Sequence, residues 1–453
     1  MGFLYLFMIE CTKKDRNEKL SLKDMLFVLL LALLWTFFCG IHGLSTQSMD
    51  WLAHQAKFYD LYKNDWPLYF KDVDRYACYY FGYYLVPSFI SKWSGHLLPM
   101  VWVLWTCFGF FLGLSWIYVL INKNKSLLVV FLFIRGIGQL IILVFNKLGA
   151  GNINLPIYNP SIRSVFEQSI YAPNQVIPAV IVCGIVVHDL VCRKKEEESF
   201  FVITLAFIWG VFPAMVLVLL YAALVVNKYF FKRDIEQLNL KNILHWYLLP
   251  GLLFTPAFVY FLSSQSIVTK GFLWSFGAIQ PVMIGYLTGI MVDLAMFYVV
   301  VFSLNKNYFP AWFIHLIFTG IFLLSQYRMG IYSDLFFRGS IPLCIILVVC
   351  ILRGLDTNIR TGQWGQKRSF FIAFSLMSFL FLNGILVKSP LLRDNILANF
   401  YLGKRDTYRV YAYDSYPNTY QTLRFGYKDE EGAKQYLGSE DSLYKKYLSR
   451  NNK

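Results

Sequence analysis

DMLFVLLLALLWTFFCGI, from Asp24 to Ile41, is an 18-residue run whose one charge is its first residue. A helix needs about 20 consecutive apolar residues to cross the hydrocarbon core of a bilayer. Similar runs recur along the chain, and they are continuous rather than alternating, which favours helices over a β-barrel. The sequence therefore predicts an all-α polytopic membrane protein.

The composition agrees with this class. Of the 453 residues, 57% are hydrophobic, 19% are aromatic and 15% are charged, whereas a soluble domain carries about 25% charged residues. We predict about eleven transmembrane helices. Their approximate bounds are Asp24–Ile41, Pro99–Ile121, Ser126–Phe145, Asn174–Cys192, Phe200–Val211, Pro213–Val226, Ile243–Ser263, Ile279–Leu304, Phe309–Leu324, Ser340–Leu352 and Ser369–Val387.

The net charge of +15 comes largely from short basic clusters between the apolar runs. This pattern follows the positive-inside rule and does not indicate a nucleic-acid partner. It predicts a cytoplasmic N-terminus (1–23), a membrane domain (24–387) with a first extracytoplasmic loop (43–97), and an extracytoplasmic tail (388–453). Any chemistry is then expected on the outer face, because the cytoplasmic loops are short.

The segment Tyr76–Trp93 is rich in tyrosine and contains Pro87. Tyrosine prefers the membrane interface, where its ring is in apolar surroundings and its hydroxyl is wet. We predict an interfacial or re-entrant helix. The alternative, a true span, would invert every later segment, and the positions of the basic clusters favour the interfacial reading.

The first outer loop contains the leading catalytic candidates. Asp50 and His54 are four residues apart, so in a helix they share a face. A carboxylate among aromatic rings can have a raised pKa, which suits a general base. The alternative is a solvated acid beside an ordinary interfacial histidine. Asp60 is the reserve candidate, although Lys57, Lys63 and Lys71 are available to pair with it.

Basic residues in later segments are candidates for binding a lipid phosphate. Arg328 and Arg338 flank Asp334, and an arginine at the membrane surface can grip a phosphate with two hydrogen bonds. The alternative is an anchoring arginine that reaches the headgroups. The loop between residues 146 and 175 adds Lys147 and Arg163.

Arg135 and Asp293 fall deep inside predicted spans, where a charge is costly and indicates a polar cavity or a partner. The two residues are candidates to pair with each other across the bundle. The sequence contains no P-loop, no HExxH motif and no metal-binding spacing of cysteines. It therefore predicts no cofactor and no metal-binding motif. The several aspartates of the first loop are compatible with binding of a divalent metal ion.

Three motifs resemble those of bacterial membrane glycosyltransferases with the C-type (GT-C-like) fold. The first is Asp50-Trp-Leu-Ala-His54-Gln-Ala56, followed by Tyr79-Tyr-Phe-Gly-Tyr-Tyr-Leu-Val-Pro87. The second is Ala172-Pro-Asn-Gln175, where the family often has Pro-Gln-His and this chain lacks the histidine. The third is Ser333-Asp-Leu-Phe-Phe-Arg-Gly-Ser-Ile-Pro342.

The resemblance implies an inverting enzyme of the bacterial cytoplasmic (inner) membrane. Its donor would be a polyprenyl-phosphate-linked sugar and its acceptor a glycan or lipid, in cell-envelope polysaccharide biosynthesis. Asp50 would be the base and His54 would orient it or the acceptor. Arg338 or Arg328 would hold the lipid phosphate, and the aromatic belt containing Tyr80 and Tyr84 would stack on the sugar or prenyl chain.

Two other functions stay open. An O-antigen-type polysaccharide polymerase usually has large late outer loops, and the loop with Arg328 and Arg338 is short. A lipid-linked sugar transporter or flippase would use buried charge pairs such as Arg135 with Asp293 and would not need Asp50.

Overall fold

The computed structural model describes most of the chain. The described residues are 18–43, 45, 47–48, 50–148, 160–232, 239–264, 269–276, 279–304, 308–330, 333–362, 368–396, 416–426 and 428–448. The N-terminal segment before residue 18 and much of the predicted tail lie outside them.

The described part is mostly helical. Its main helices are α1 (Leu22–Phe38), α2 (Trp51–Lys63), α3 (Gly82–Ser94), α4 (Pro99–Leu120), α5 (Lys125–Phe133), α6 (Gly138–Lys147), α7 (Val165–Tyr171), α8 (Pro173–His188), α9 (Phe200–Ala206), α10 (Val211–Val226), α11 (Leu249–Leu262), α12 (Ile279–Tyr286), α13 (Val292–Leu304), α14 (Ala311–Gln326), α15 (Asp334–Gly339), α16 (Ile341–Arg360), α17 (Arg368–Ile396), α18 (Thr419–Gln421) and α19 (Glu430–Lys434). Two small antiparallel sheets pair β1 (Tyr69–Phe70) with β2 (Arg75–Tyr76), and β3 (Lys270–Phe272) with β4 (Tyr327–Met329).

Seven helices in the described residues are long and apolar enough to cross a membrane. They are Pro99–Leu120, Pro173–Arg193, Val211–Phe231, Leu240–Leu262, Val282–Leu304, Asp334–Arg360 and Arg368–Lys388. These helices identify a multi-pass, all-α membrane protein, as the sequence predicted. The predicted count of about eleven spans is not confirmed.

The differences from the predicted spans have local causes. Helix α1 has 17 residues, just short of a full span; it exposes leucines along one face and buries Val28, Ala32 and Trp35 on the other. Helix α14 is a shorter apolar helix. The predicted span Phe200–Val211 is not one α-helix, because α9 ends at Ala206 and α10 begins at Val211, after Gly210.

The predicted span Ser126–Phe145 is broken into α5 and α6. Asp293 on α13 accepts hydrogen bonds from the N–H groups of Ile137 (2.6 Å) and Gly138 (3.0 Å) at the break. The carbonyl of Gly136 accepts from Asn383 (2.8 Å). A membrane helix can open only where its freed backbone groups find protein partners. Asp293 is therefore bonded to backbone, while Arg135, its expected partner, is paired elsewhere.

The chain forms two compact units. Unit 1 contains the described residues within 1–109, 192–268 and 405–453, and unit 2 those within 110–191 and 269–404. In unit 1 the first predicted outer loop folds into α2 and α3, of 13 residues each. Both helices are too short to span a bilayer.

The described tail segments of unit 1 pack on this loop. The N–H of Cys78 donates to the carbonyl of Tyr436 (2.8 Å), and the N–H of Gly438 donates to the carbonyl of Tyr76 (2.8 Å). Arg75 forms an ion pair with Glu440. The tail is therefore part of the folded structure around α2 and α3.

Unit 2 has its core at α16, nearly all of whose residues from Ile341 to Leu355 are buried. Asp356 on this helix accepts from the side-chain amides of Asn122 (2.8 Å) and Asn124 (2.9 Å). Asn124 also caps α5 by accepting from the N–H of Leu127 (3.2 Å). These bonds fix the turn before α5 and so the position of the break that follows it.

Candidate functional site

Asp50 lies at the N-terminal end of α2 and is half-buried. The hydroxyl of Ser48 lies 3.5 Å from one carboxylate oxygen. A carboxylate at a helix N-terminus is stabilised by the helix dipole. Asp50 is thus partly open to solvent while the rest of α2 is mostly buried.

His54 lies one turn further along α2 and is buried. Its Nδ1 forms a hydrogen bond with the hydroxyl of Tyr84 on α3. The ring of Trp51 lies on another side, with centroids 5.1 Å apart. His54 is therefore held in one orientation by neighbours on two helices.

Lys57, one turn beyond His54, is only 1% exposed. Its ammonium nitrogen lies 4.2 Å from the ring centroid of Tyr79, 5.3 Å from that of Tyr84 and 5.0 Å from that of Tyr436. It also donates to the hydroxyl of Tyr436 (3.4 Å). We call Lys57, Tyr79, Tyr84 and Tyr436 the tyrosine cage. A cation over several ring faces is stabilised electrostatically.

Asp60 is also buried, and it binds the tail. One carboxylate oxygen accepts from the backbone N–H and the hydroxyl of Thr419, both at 2.5 Å. The other accepts from the side chain of Asn64 (3.3 Å). Burial raises the pKa of Asp60 to about 6, although the Thr419 hydrogen bonds act in the opposite direction. Its geometry fits an anchor for the tail.

The aromatic belt packs largely on itself. Tyr80 is 6% exposed and stacks on Tyr79 with centroids 3.8 Å apart. Tyr79 stacks on Tyr436 at 4.2 Å. Tyr84 is fully buried. These rings build the wall around His54 and Lys57.

Unit 2 contains a second concentration of charge. Glu167 on α7 is paired with Arg135 (Oε2 to Nη1, 3.2 Å) and with Lys388 (Oε1 to Nζ, 3.2 Å). The charge of Arg163 also acts on Glu167, and its guanidinium lies 3.9 Å from the ring centroid of Phe337. We call Arg135, Arg163, Glu167 and Lys388 the Glu167 cluster.

The Glu167 cluster has three cations and one carboxylate. Burial raises the pKa of Glu167, but the charges of Arg135, Lys388 and Arg163 outweigh burial and hold it below its usual value. Within the described part of the chain, Nε of Arg135 and Nε of Arg163 have no hydrogen-bond partner. Unbalanced buried charge is costly, so this cluster has the chemistry to accept an anion.

The other predicted phosphate-binding residues lie in unit 2 but differ in setting. Arg338 pairs with Asp334 on α15 (3.0 Å) and is half-buried. Arg328 on β4 is buried, with its guanidinium 4.6 Å from the ring centroid of Phe276, and it lines a water-sized cavity of about 10 Å³. Lys147, at the end of α6, is exposed.

Sequence reasoning missed the roles of Lys57, Glu167, Lys388, Thr419 and Tyr436. Lys57 had a local signal, since it follows His54 by three residues and so lies near it on a helix. No local pattern in the sequence indicated the partners of Asp60 and Glu167, because they are distant in the chain. Thr419, for example, is 359 residues from Asp60. Among the described residues no group of three or more histidine, cysteine, aspartate or glutamate side chains is arranged to hold a metal ion.

Comparison of the chain with protein-family models, curated proteins and solved structures found no match.

Proposed function

We propose that this protein is an inverting glycosyltransferase that takes a sugar from a polyprenyl-phosphate donor and passes it to a glycan or lipid acceptor. The observation that carries the proposal is that Asp50 and His54 lie one helical turn apart at the start of α2, outside the candidate spans. A half-buried carboxylate one turn from an imidazole held by a hydrogen bond suits a general base and an orienting partner.

Asp50 would remove the proton of the acceptor hydroxyl as its oxygen attacks the anomeric carbon of the donor. The bond from that carbon to the phosphate oxygen breaks, and the lipid phosphate leaves with the electron pair. Attack opposite the leaving group inverts the anomeric centre. His54 would orient Asp50 or the acceptor.

The Glu167 cluster supports the lipid-phosphate part of the proposal. Arg163 is partly exposed and the side chain of Lys388 is 13% exposed, so both can be reached from outside the cluster. Arginine and lysine stabilise a phosphate whose charge grows as the sugar leaves. Arg338 is the second candidate for binding the lipid phosphate. It ranks after the Glu167 cluster because its charge is already paired with Asp334.

The GT-C-like fold, the bacterial inner membrane and the outward orientation of the first loop and tail belong to the same proposal. They are supported by the sequence motifs and by the distribution of basic residues. The proposed base, Asp50, belongs to unit 1, and the proposed phosphate-binding residues belong to unit 2. Separate variants test the two roles.

The test uses the full chain in lipid nanodiscs and in liposomes. Synthetic polyprenyl-phosphate monosaccharides are supplied with lipid and glycan acceptors, and products are analysed by mass spectrometry and by anomeric NMR. The proposal expects transfer with inversion. Movement of the lipid-linked sugar across liposomes without transfer would overturn it in favour of a flippase. Joining of lipid-linked oligosaccharide repeats would overturn it in favour of a polymerase.

A further inference from the structure

We propose that Lys57 is a positioning residue that sets the tautomer of His54 through Tyr84. This inference rests on the proposed function for its catalytic meaning, but the contacts that carry it lie in α2, α3 and the tail. All of them belong to unit 1.

The ammonium of Lys57 lies among the rings of Tyr79, Tyr84 and Tyr436, and the side chain is almost fully buried. The tail holds Tyr436 in place, since the carbonyl of Tyr436 accepts from the N–H of Cys78 (2.8 Å). The cage therefore fixes a cation over the face of Tyr84.

Lys57 affects the hydroxyl of Tyr84 through the ring. A cation over a phenol ring draws electron density from the ring, which makes the hydroxyl a stronger hydrogen-bond donor. The Tyr84 hydroxyl is bonded to Nδ1 of His54. Donation to Nδ1 requires that this nitrogen carries no proton, so a neutral His54 keeps its proton on Nε2.

This tautomer determines what His54 offers to the proposed reaction. With Nδ1 occupied, His54 offers an N–H at Nε2 as a donor to Asp50 or to the acceptor. The reverse tautomer would present a lone pair there instead. Among the described residues, Tyr84 on α3 bonds Nδ1 of His54, and Asp50 and Lys57 lie about one turn before and after it along the chain. Tyr436 from the tail contacts Lys57.

The test measures the His54 ring by ¹⁵N NMR of full-length protein labelled in histidine, in detergent micelles at pH 8. A His54→Gln variant assigns the signal. We expect an unprotonated Nδ1 in the wild type and in Lys57→Arg, and a mixture of tautomers in Lys57→Met. In a Tyr84→Phe background, Lys57→Met should change nothing further, because the connecting hydroxyl is gone.

Two results would overturn the inference. One is an unchanged tautomer in Lys57→Met. The other is an equal change with and without the Tyr84 hydroxyl, which would mean that Lys57 acts directly through space. If Lys57→Met does not fold, Tyr436→Leu loosens the cage while keeping the charge, and it should shift the tautomer in the same direction; an unshifted signal would again overturn the inference.

Activity gives a separate readout. In the sugar-transfer assay, Lys57→Met should lower kcat about tenfold with little change in KM, and Lys57→Arg should restore it. Absence of transfer in every variant and in the wild type would refute the proposed function, while the NMR result would still decide the role of Lys57.

Discussion

Asp60 on α2 and Thr419 in the tail are joined by two hydrogen bonds of 2.5 Å to a single carboxylate oxygen. The two residues are 359 positions apart in sequence. The carboxylate is buried, and its pKa of about 6 lies above its ordinary value of 3.8. The bond between the loop and the tail therefore titrates at mildly acidic pH.

The first prediction is that stability falls as pH rises from about 4 to 6. The folded protein holds the Asp60 proton up to about pH 6, and the unfolded chain only up to 3.8. Folded protein thus binds more protons in this window, so the free energy of unfolding declines by about 3 kcal/mol across it and then levels off. Thermal unfolding in detergent at stepped pH measures this.

Two variants isolate the contribution of Asp60. Asp60→Asn should remove this part of the pH dependence. Thr419→Val removes a hydrogen bond that lowers the pKa, so the decline should extend to higher pH. An Asp60→Asn curve parallel to that of the wild type between pH 4 and 6 would show that the decline has another source.

The second prediction concerns the break between α5 and α6. A Cβ added at Gly136 would overlap the carboxylate of Asp293. Gly136→Ala should therefore destabilise the protein by about 1–3 kcal/mol. Asp293→Asn should cost about 1.5–3 kcal/mol, because an amide cannot accept all of the N–H groups that the carboxylate accepts.

Gly251 in α11 is the matched control, since an added Cβ there meets nothing within 4 Å. Gly251→Ala should leave the unfolding temperature unchanged or raise it. Equal losses at Gly136 and Gly251 would mean that the packing at the break has no special role.

The third prediction concerns the Glu167 cluster. Arg163→Gln and Lys388→Gln should each raise KM for the polyprenyl-phosphate sugar about tenfold or more, because a charged hydrogen bond to the donor phosphate is lost. Glu167→Gln should lower KM, because it removes the carboxylate that competes with the phosphate. Steady-state kinetics in nanodiscs measures all three.

Arg368→Gln is the matched control for charge. Arg368 is exposed at the start of α17, the helix that carries Lys388, and lies about 30 Å away along it. A rise in KM for Arg368→Gln as large as that for Lys388→Gln would indicate a general effect of charge rather than a binding site.

Hydropathy predicted much of this fold, because lipid demands long apolar helices and their lengths are readable from sequence. Hydropathy wrongly predicted one continuous span from Ser126 to Phe145, because the apolar run continues through the break between α5 and α6. The bonds that stabilise the break come from Asp293 and Asn383, which are distant in sequence. Charge alone predicted a pair between Arg135 and Asp293, but backbone N–H groups take the Asp293 carboxylate and Glu167 pairs with Arg135.

In the candidate site, too, local features could be predicted from the sequence and contacts between distant residues could not. The helical spacing of Asp50 and His54 was predictable, and the structure has both at the start of α2. The partner of Asp60 was not, because loop lysines nearby in sequence are simpler partners than a threonine in the tail. Lys57 is held by tyrosines from α3, the segment before it and the tail, which no local pattern could indicate.

The central claim is that Asp50 is the general base. The most direct measurement compares sugar transfer by the wild type, Asp50→Asn and Asp65→Asn, all as full-length protein in nanodiscs. Asp65 is the control, because it lies in the same loop with a fully exposed side chain. We expect Asp50→Asn to lower kcat by about 10²–10⁴-fold, with Asp65→Asn near wild type. Transfer by Asp50→Asn at the wild-type rate would contradict the account.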